Sequence, residues 1–245
     1  MQQNLHGFII HLRRAARRQP QVAWIQQHSP CRVSVVDATD GAELTPAQRE
    51  SYVAGIHQPA YPFALRPGEL GAFHSHRECW RRIVAGGHRA GLILEDDLEF
   101  DPPVFARAVS LAAEHGGDDC YVRFPLRQRE VSSAAVARDA ELTLIRPDVI
   151  ALGAVGQLVG REAARRLLAA TERFDRPVDT FLQMRWIHGV EVLSVWPSTL
   201  REISADLGGS LIQQRTPLIA KLRREFDRYR YRRAVAKFSR QSGQA

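Results

Sequence analysis

Only three cysteines, Cys31, Cys79 and Cys120, occur in this sequence, widely spaced and without a C-x-x-C pair. An odd count at such spacing argues against a disulfide framework or a zinc knuckle, and reduced, mainly core cysteines are expected. No stretch approaches the roughly 18 apolar residues that a membrane-spanning helix needs. The opening MQQNLHGFIIHLRR has a short apolar run with its charges on the wrong side for a secretory signal, so a cytoplasmic protein is expected. Internal repeats and low-complexity linkers are also missing, which leaves one domain with a tail.

What is present has the balance of a globular protein: 245 residues, 44% hydrophobic and 25% charged, enough for one substantial core. The net charge of +7 is unevenly spread. Residues 221–240, KLRREFDRYRYRRAVAKFSR, hold nine Lys and Arg against Glu225 and Asp227, a surplus equal to the net charge of the whole chain. The remainder is close to neutral.

Short apolar runs, GFIIHL at 7–12 and RVSVVDATDG at 32–41, read as strands, the second ending in a turn of Asp, Thr and Gly. An Arg-rich segment interrupted by Pro20 lies between them, giving the outline of a βαβ unit. From Pro67, Leu70, Phe73, Trp80, Ile83 and Val84 recur at helical steps until Gly86 and Gly87, with His76 on the same stripe. Then follow strand GLILED, a helix over about 102–115, strands CYVRF and ELTLI, strand AVGQLVG leading into helix REAARRLLAAT, the turn FDRPVD, helix TFLQMRW and strand VEVLSVWPS. Strands alternating with helices predict a mixed, mostly parallel sheet with helices on its faces.

LILEDDLEF, residues 92–100, sets Glu95, Asp96 and Asp97 directly after a buried-strand pattern. Ligands of such sheets bind outside the carboxyl ends of the strands. Three adjacent carboxylates repel one another near a low-dielectric core unless cations or donors compensate them. Alternation along an extended chain predicts Glu95 and Asp97 on one side, with Asp96 turned away. Hard oxygen ligands suit Mg²⁺ or Mn²⁺. A solvated acidic turn is equally open on these residues alone.

The neighbouring motifs bear on that choice. LRPGELGAFHSHRECWRRIV, followed by GLILEDDLEF, VGREAARRLL, RPVD and GGSLI, resembles glycosyltransferase family 25, the lipooligosaccharide and collagen galactosyltransferase relatives. IIHLRRAARR and VVDATDG look like the family's first strand and the turn after its second, so the likeness runs over about 7–213. The resemblance implies a GT-A-like domain over residues 5–215, a UDP-sugar donor, a divalent metal and transfer with inversion. It makes Glu95, Asp96 and Asp97 the acidic motif, with Glu95 and Asp97 as metal ligands and Asp97 foremost. Metal bridging two phosphates would stabilise the leaving diphosphate. Asp179 in RPVD becomes the candidate base, with a helix N-cap as its alternative role. Ser75 and His76 match the Ser-His segment and are candidates for the diphosphate, although a histidine on an apolar stripe is more often a core residue. Gly68 and Gly71 allow close backbone approach, and Glu69 suits a first helical turn.

Arg14, Arg17 and Arg18 follow the first strand, where one can reach a uridine or phosphate group, while most of the run is solvated surface. Asp37 and Asp40 can touch uridine or ribose, or serve only as turn formers. The family often has Asn or Ser where this chain has His11, Cys where it has Ala72, and a Tyr with a later Ser where Gln157 and Gly160 stand, which puts sugar specificity in question before the fold.

Leu218, Leu222, Phe226 and Tyr229 recur at helical spacing amid Arg and Lys, predicting a basic amphipathic tail over 216–245. Residues 218–240 could dock an anionic membrane and so bring a glycolipid acceptor to the enzyme, or the helix could pack on its own core. Nucleic-acid binding through RYRYRR competes, but no reader motif accompanies it in the main body. The reading is therefore a peripheral, metal-dependent hexosyltransferase using a UDP-hexose and a cell-envelope saccharide. The alternative is a catalytically silent member that binds a sugar nucleotide or a partner protein.

Overall fold

Alternation in the first strand, β1 (Leu5–His11), sends Phe8 to one side of a central sheet and Ile9 to the other. A computed structural model describes residues 5–204 and 218–242, with backbone alone at 131–133 and 218–223. Strand β2 (Val33–Asp37) follows helix α1 (Gln19–His28), and Pro20 opens that helix where an interruption was expected. Then come α2 (Pro46–Glu50), α3 (Pro67–Ala85), β3 (Ala90–Glu95), β4 (Leu98–Glu99), α4 (Pro102–His115) and β5 (Cys120–Arg123). The chain continues through β6 (Val131–Asp139), β7 (Leu142–Val149), β8 (Gly156–Gly160), α5 (Arg161–Ala170), α6 (Val178–Phe181), α7 (Arg185–His188), β9 (Glu191–Trp196), β10 (Arg201–Glu202) and α8 (Leu218–Ser242).

Eight strands form one sheet in the order β2-β1-β3-β8-β5-β9-β7-β6. Pairing is parallel for β1 with β2 and β3 and for β5 with β9, and antiparallel at the other joins. Only β8 and β7 therefore oppose the remaining six, the mixed and mostly parallel sheet that the alternation of elements predicted. Phe73, Trp80 and Ile83 of α3 pack with Ile93 and Val159 on one face. Leu92, Leu94 and Phe105 pack with Ile25 of α1 on the other. Full burial of Leu92, Ile93 and Leu94 explains why that strand reads as an unbroken apolar run.

Two expectations change, and the tail helix buries residues not singled out for it. TFLQMRW is not one helix but the end of α6 and the start of α7, parted by Leu182–Met184. VSSAAVARD forms the edge strand β6, which its small residues did not announce, and its pairing with β7 carries register shifts. The tail helix forms, yet Tyr231, Val235 and Ser239 are its buried residues, while Phe226 and Tyr229 are 60% and 57% exposed. The side chains of Leu218 and Leu222, and the GGSLI motif, lie outside the described residues. Among the described residues no helix is long and apolar enough to cross a membrane.

The carboxyl ends of β1, β2 and β3 meet the start of α3 at one edge of the sheet, and two glycines let the backbones touch there. A Cβ on Gly71 would lie 2.4 Å from the Thr39 carbonyl oxygen, and one on Gly41 would lie 2.3 Å from Pro67 backbone atoms. Glu69 accepts from Arg66 N at 2.7 Å, and its own N–H donates to the Arg66 carbonyl at 2.9 Å, fixing the helix start. Gly71→Ala should consequently force α3 away from the turn after β2. A loss of about 1–3 kcal/mol is expected in urea unfolding, and an unchanged midpoint would refute this close contact.

Candidate active site

Strand β3 stops at Glu95, and Asp96 and Asp97 occupy the turn that follows. Extended-chain alternation therefore does not govern them, and the expectation that Asp96 turns away from its neighbours is corrected. Asp96 is 4% exposed, accepting from His11 Nδ1 at 2.7 Å and from Arg18 Nη1 at 2.5 Å. Arg18 Nη1 also lies 3.1 Å from Asp97 Oδ2. One buried guanidinium thus binds two of the three carboxylates. Burial is the largest influence on Asp97 and raises its pKa.

Glu95 is treated differently. Its side chain lies at the floor of a cleft of about 600 Å³, also lined by Asp96, Ser75 and His76. Water reaches it, with 38% of the side chain exposed, while protein walls surround it. Desolvation by those walls, then the charges of Asp97, Asp96 and Asp179, push its pKa up to about 8. His76 Nε2 is 4.0 Å from Glu95 Oε1, too long for a hydrogen bond. Burial lowers the His76 pKa to about 4, so the ring is neutral. Gln157 Nε2 donates to His76 Nδ1 at 3.4 Å, leaving the Nε2 proton on the Glu95 side. His76 is therefore both a core residue and a cleft wall.

Other predicted residues separate. Arg14 and Arg18 line the cleft, with Arg14 paired to Asp40 across its mouth. Arg17 is exposed and outside the lining, and Asp37 pairs with Arg13 on the open surface, so neither belongs to the cleft. Ser75 reaches the lining, but its hydroxyl donates to Gly71 O at 2.8 Å and accepts from Thr39 N at 2.9 Å, bracing α3. Asp97 stands behind the lining, against Arg18.

Asp179 does not cap its helix: Pro177 holds that position, and Asp179 lies in the first turn of α6. Its Oδ2 accepts from Gly153 N at 3.1 Å and its Oδ1 from Thr180 Oγ1 at 3.2 Å. Gly153 has φ +106°, a conformation that favours glycine. Buried Arg123 donates to the Leu152 and Gly153 carbonyls, both at 3.0 Å, and pairs with buried Glu130. Arg176, fully buried, is held by Asp175 at 2.6 and 3.0 Å and donates to Tyr231 Oη of α8 at 2.6 Å. The segment carrying Asp179 is therefore fixed from both sides.

Sequence reasoning missed His11 as the partner of Asp96, and Arg49 and Arg66 as cleft walls. Arg66 stood inside the LRPG motif, directly before a helix-opening proline, which was the available signal. The raised pKa of Glu95 means that the folded chain holds a proton that the unfolded chain releases between about 4.5 and about 8. Stability from this group therefore falls as pH rises through that window. In metal-free buffer Glu95→Gln should melt higher than the parent chain near pH 8, with the gap closing toward pH 4.5. Equal melting curves at every pH would show that Glu95 is not held in this state.

A sequence profile described as "Glycosyltransferase family 25 (LPS biosynthesis protein)" matches residues 4–182. "Procollagen galactosyltransferase 1" of Danio rerio is 30% identical over 81% of this chain and 35% of its own length. A "Glycosyltransferase 25 family member" of Drosophila pseudoobscura pseudoobscura is 33% identical over 42% of this chain and 17% of its own. The "Inactive glycosyltransferase 25 family member 3" of Mus musculus is 30% identical over 38% of this chain and 16% of its own. The chain thus spans about a third or less of the length of these relatives. With its acidic turn, its Ser-His helix and its RPVD segment all inside the matched range, the chain belongs to glycosyltransferase family 25.

Proposed function

We propose that this chain is an inverting glycosyltransferase that moves a hexose, galactose or glucose, from a UDP-sugar to a hydroxyl of a cell-envelope saccharide such as lipooligosaccharide. The observation that carries the reading is the cleft at the end of β3, where the Glu95 carboxyl lies beneath walls bearing Arg14, Arg18, Arg49 and Arg66. Glu95 would give up its proton on binding a cation, and a carboxylate under cationic walls then suits that cation together with a diphosphate. The family description and the galactosyltransferase names of relatives support the sugar and the acceptor class.

Mn²⁺ or Mg²⁺ fits these residues. Among the described residues no three side chains converge as a ready metal cage. Such ions need only one or two carboxylates when substrate phosphates and water complete the shell. Glu95 would supply one oxygen ligand and Asp97 a second, Asp97 giving up its contact with Arg18. When bound, the ion would offset charge developing on the leaving diphosphate. The chain's own residues do the rest. Arg14, Arg49 and Arg66 hold phosphate or ribose oxygens, Arg18 keeps the acidic turn in place, and neutral His76 walls the cleft beside Glu95. Asp179 takes the proton of the acceptor hydroxyl as that oxygen bonds to the anomeric carbon. The bond from that carbon to the β-phosphate oxygen breaks, and its electron pair leaves with UDP.

Tail helix α8 supports a peripheral membrane location on the cytoplasmic side. Phe226, Tyr229, Arg230 and Arg233 fall on one outward stripe, with Arg230 over the Phe226 ring at 5.9 Å and Arg233 over the Tyr229 ring at 5.8 Å. Apolar rings among cations suit an anionic leaflet. A second reading, a catalytically silent sugar-nucleotide binder, draws support from the mouse relative with "Inactive" in its name.

Release of UDP from a panel of UDP-hexoses, with and without Mn²⁺ and acceptor, distinguishes the two readings. Asp179→Asn should lower turnover about 10²- to 10⁴-fold with donor binding retained. Asp97→Ala should abolish the rise in melting temperature that Mn²⁺ with UDP gives the parent chain. UDP binding without turnover in any donor would favour the silent reading, and no UDP binding at all would defeat both. For the tail, Phe226→Ser with Tyr229→Ser should release the protein from anionic vesicles at near-physiological salt. Retention on RNA instead of vesicles would overturn the membrane assignment.

A further inference from the structure

A second cleft of about 530 Å³ opens beyond Asp179, and helix α8 forms one of its walls. Thr180, next to Asp179, and Leu152, next to the Gly153 that holds the Asp179 carboxylate, both line it. Thr180 and the Gly153 contact thus place Asp179 beside this second cleft.

The second cleft differs in chemistry from the first. It contains an aromatic wall: Tyr61 packs edge-on against Phe63 at 5.5 Å and against Tyr231 at 5.3 Å. Three exposed arginines, Arg129, Arg228 and Arg232, line it as well. Among the described residues no acidic side chain lines it. Arg228 has a neighbour in Glu225 on the open helix surface, a pair that water screens and that contributes little. On α8, Arg228, Tyr231, Arg232 and Val235 share one face, and Phe226, Tyr229, Arg230 and Arg233 share the opposite one. The cleft and the outward aromatic stripe are thus separate surfaces of one helix.

Aromatic rings pack against the apolar face of a sugar ring, and guanidinium groups bind carboxylate or phosphate in paired hydrogen bonds. We infer that this second cleft binds a saccharide bearing a negative charge, a carboxylate or a phosphate, and presents its hydroxyl to Asp179 as the acceptor. The inference rests on the proposed transferase reading and narrows its acceptor to an anionic sugar. It also gives α8 a role in the site in addition to any role at a membrane.

The test uses the full chain and three glycosides: p-nitrophenyl β-D-glucoside, its 6-phosphate, and p-nitrophenyl β-D-glucuronide. Saturation-transfer NMR and calorimetry should show at least one charged glycoside bound about tenfold or more tightly than the neutral one, as charge-assisted hydrogen bonds require. Whichever of the phosphate and the carboxylate binds more tightly identifies the source of the charge. Arg129→Gln with Arg232→Gln, both at exposed positions, should remove most of that preference while leaving UDP binding unchanged. Equal binding of charged and neutral glycosides, no binding of any, or an undiminished preference in the double variant would overturn the inference. UDP titration runs as a separate arm: charged glycosides that bind where UDP does not would defeat the transferase reading and the acceptor role, leaving only an anionic-sugar site.

Discussion

Arg18 holds the acidic turn together. Three consecutive carboxylates at the end of a buried strand would repel one another and the low-dielectric core behind them. A single guanidinium, itself 8% exposed, touches both Asp96 and Asp97, and His11 takes the remaining oxygen of Asp96. Removing one partner from such a buried cluster typically costs about 3–5 kcal/mol, because the other charge is left without compensation. With Asp96 and Asp97 tied to Arg18, the turn is fixed and Glu95 reaches the cleft outside that cluster. The site is therefore made by selective neutralisation: Arg18 offsets two carboxylates, and Glu95 holds its own proton below about pH 8.

Sheet topology gathers everything else around that turn. Parallel pairing of β2, β1 and β3 brings the ends of all three to one edge, and Gly41 and Gly71 allow α3 to close over it. Strand β8 runs the other way, so its beginning reaches the same edge and delivers Gly153 to Asp179. The charge of Asp179, far along the chain, thereby adds to those that raise the Glu95 pKa. The antiparallel insertion of β8 accounts for that meeting, since a parallel strand would have placed its preceding loop at the opposite edge.

Elements with strong local signals were legible in the sequence. The apolar run at Leu92–Leu94, the stripe from Leu70 to Ile83 and the proline-opened helix at Pro102 all appear where periodicity and capping put them. Edge strand β6 was not legible, because Ser132, Ser133, Ala134 and Ala135 carry no alternation, and its pairing is set by β7 rather than by its own residues. The acidic motif was visible, but the division of labour inside it was not. Which carboxylate turns inward depends on Arg18, about eighty residues earlier, and nothing local to LILEDDLEF encodes that contact. Asp179 was legible as a polar residue at a turn, whereas its actual partner, Gly153 N, comes from a loop that only the fold brings near. In the tail the exposed stripe of Phe226 and Tyr229 was legible, whereas the face that packs on the core, Tyr231 and Val235, was not.

The surplus of positive charge accordingly has two distinct uses. Arg18, Arg123 and Arg176 are buried, and each fixes an acidic partner: Asp96 and Asp97, Glu130, and Asp175. Such groups are poor ligand binders, because their donors are already committed and moving them would expose a buried carboxylate. They hold the turn at Glu95, the Gly153 loop and the segment before Asp179, which are the three supports of the candidate chemistry. Arg129, Arg228 and Arg232 are exposed on cleft walls, where a charged ligand can displace water without breaking the core. Net charge as a single number would have suggested a nonspecific polyanion binder. Sorted by burial, the same arginines describe a rigid carboxylate frame with cationic walls at its openings, which is what an enzyme joining a diphosphate-linked sugar to an anionic saccharide would require.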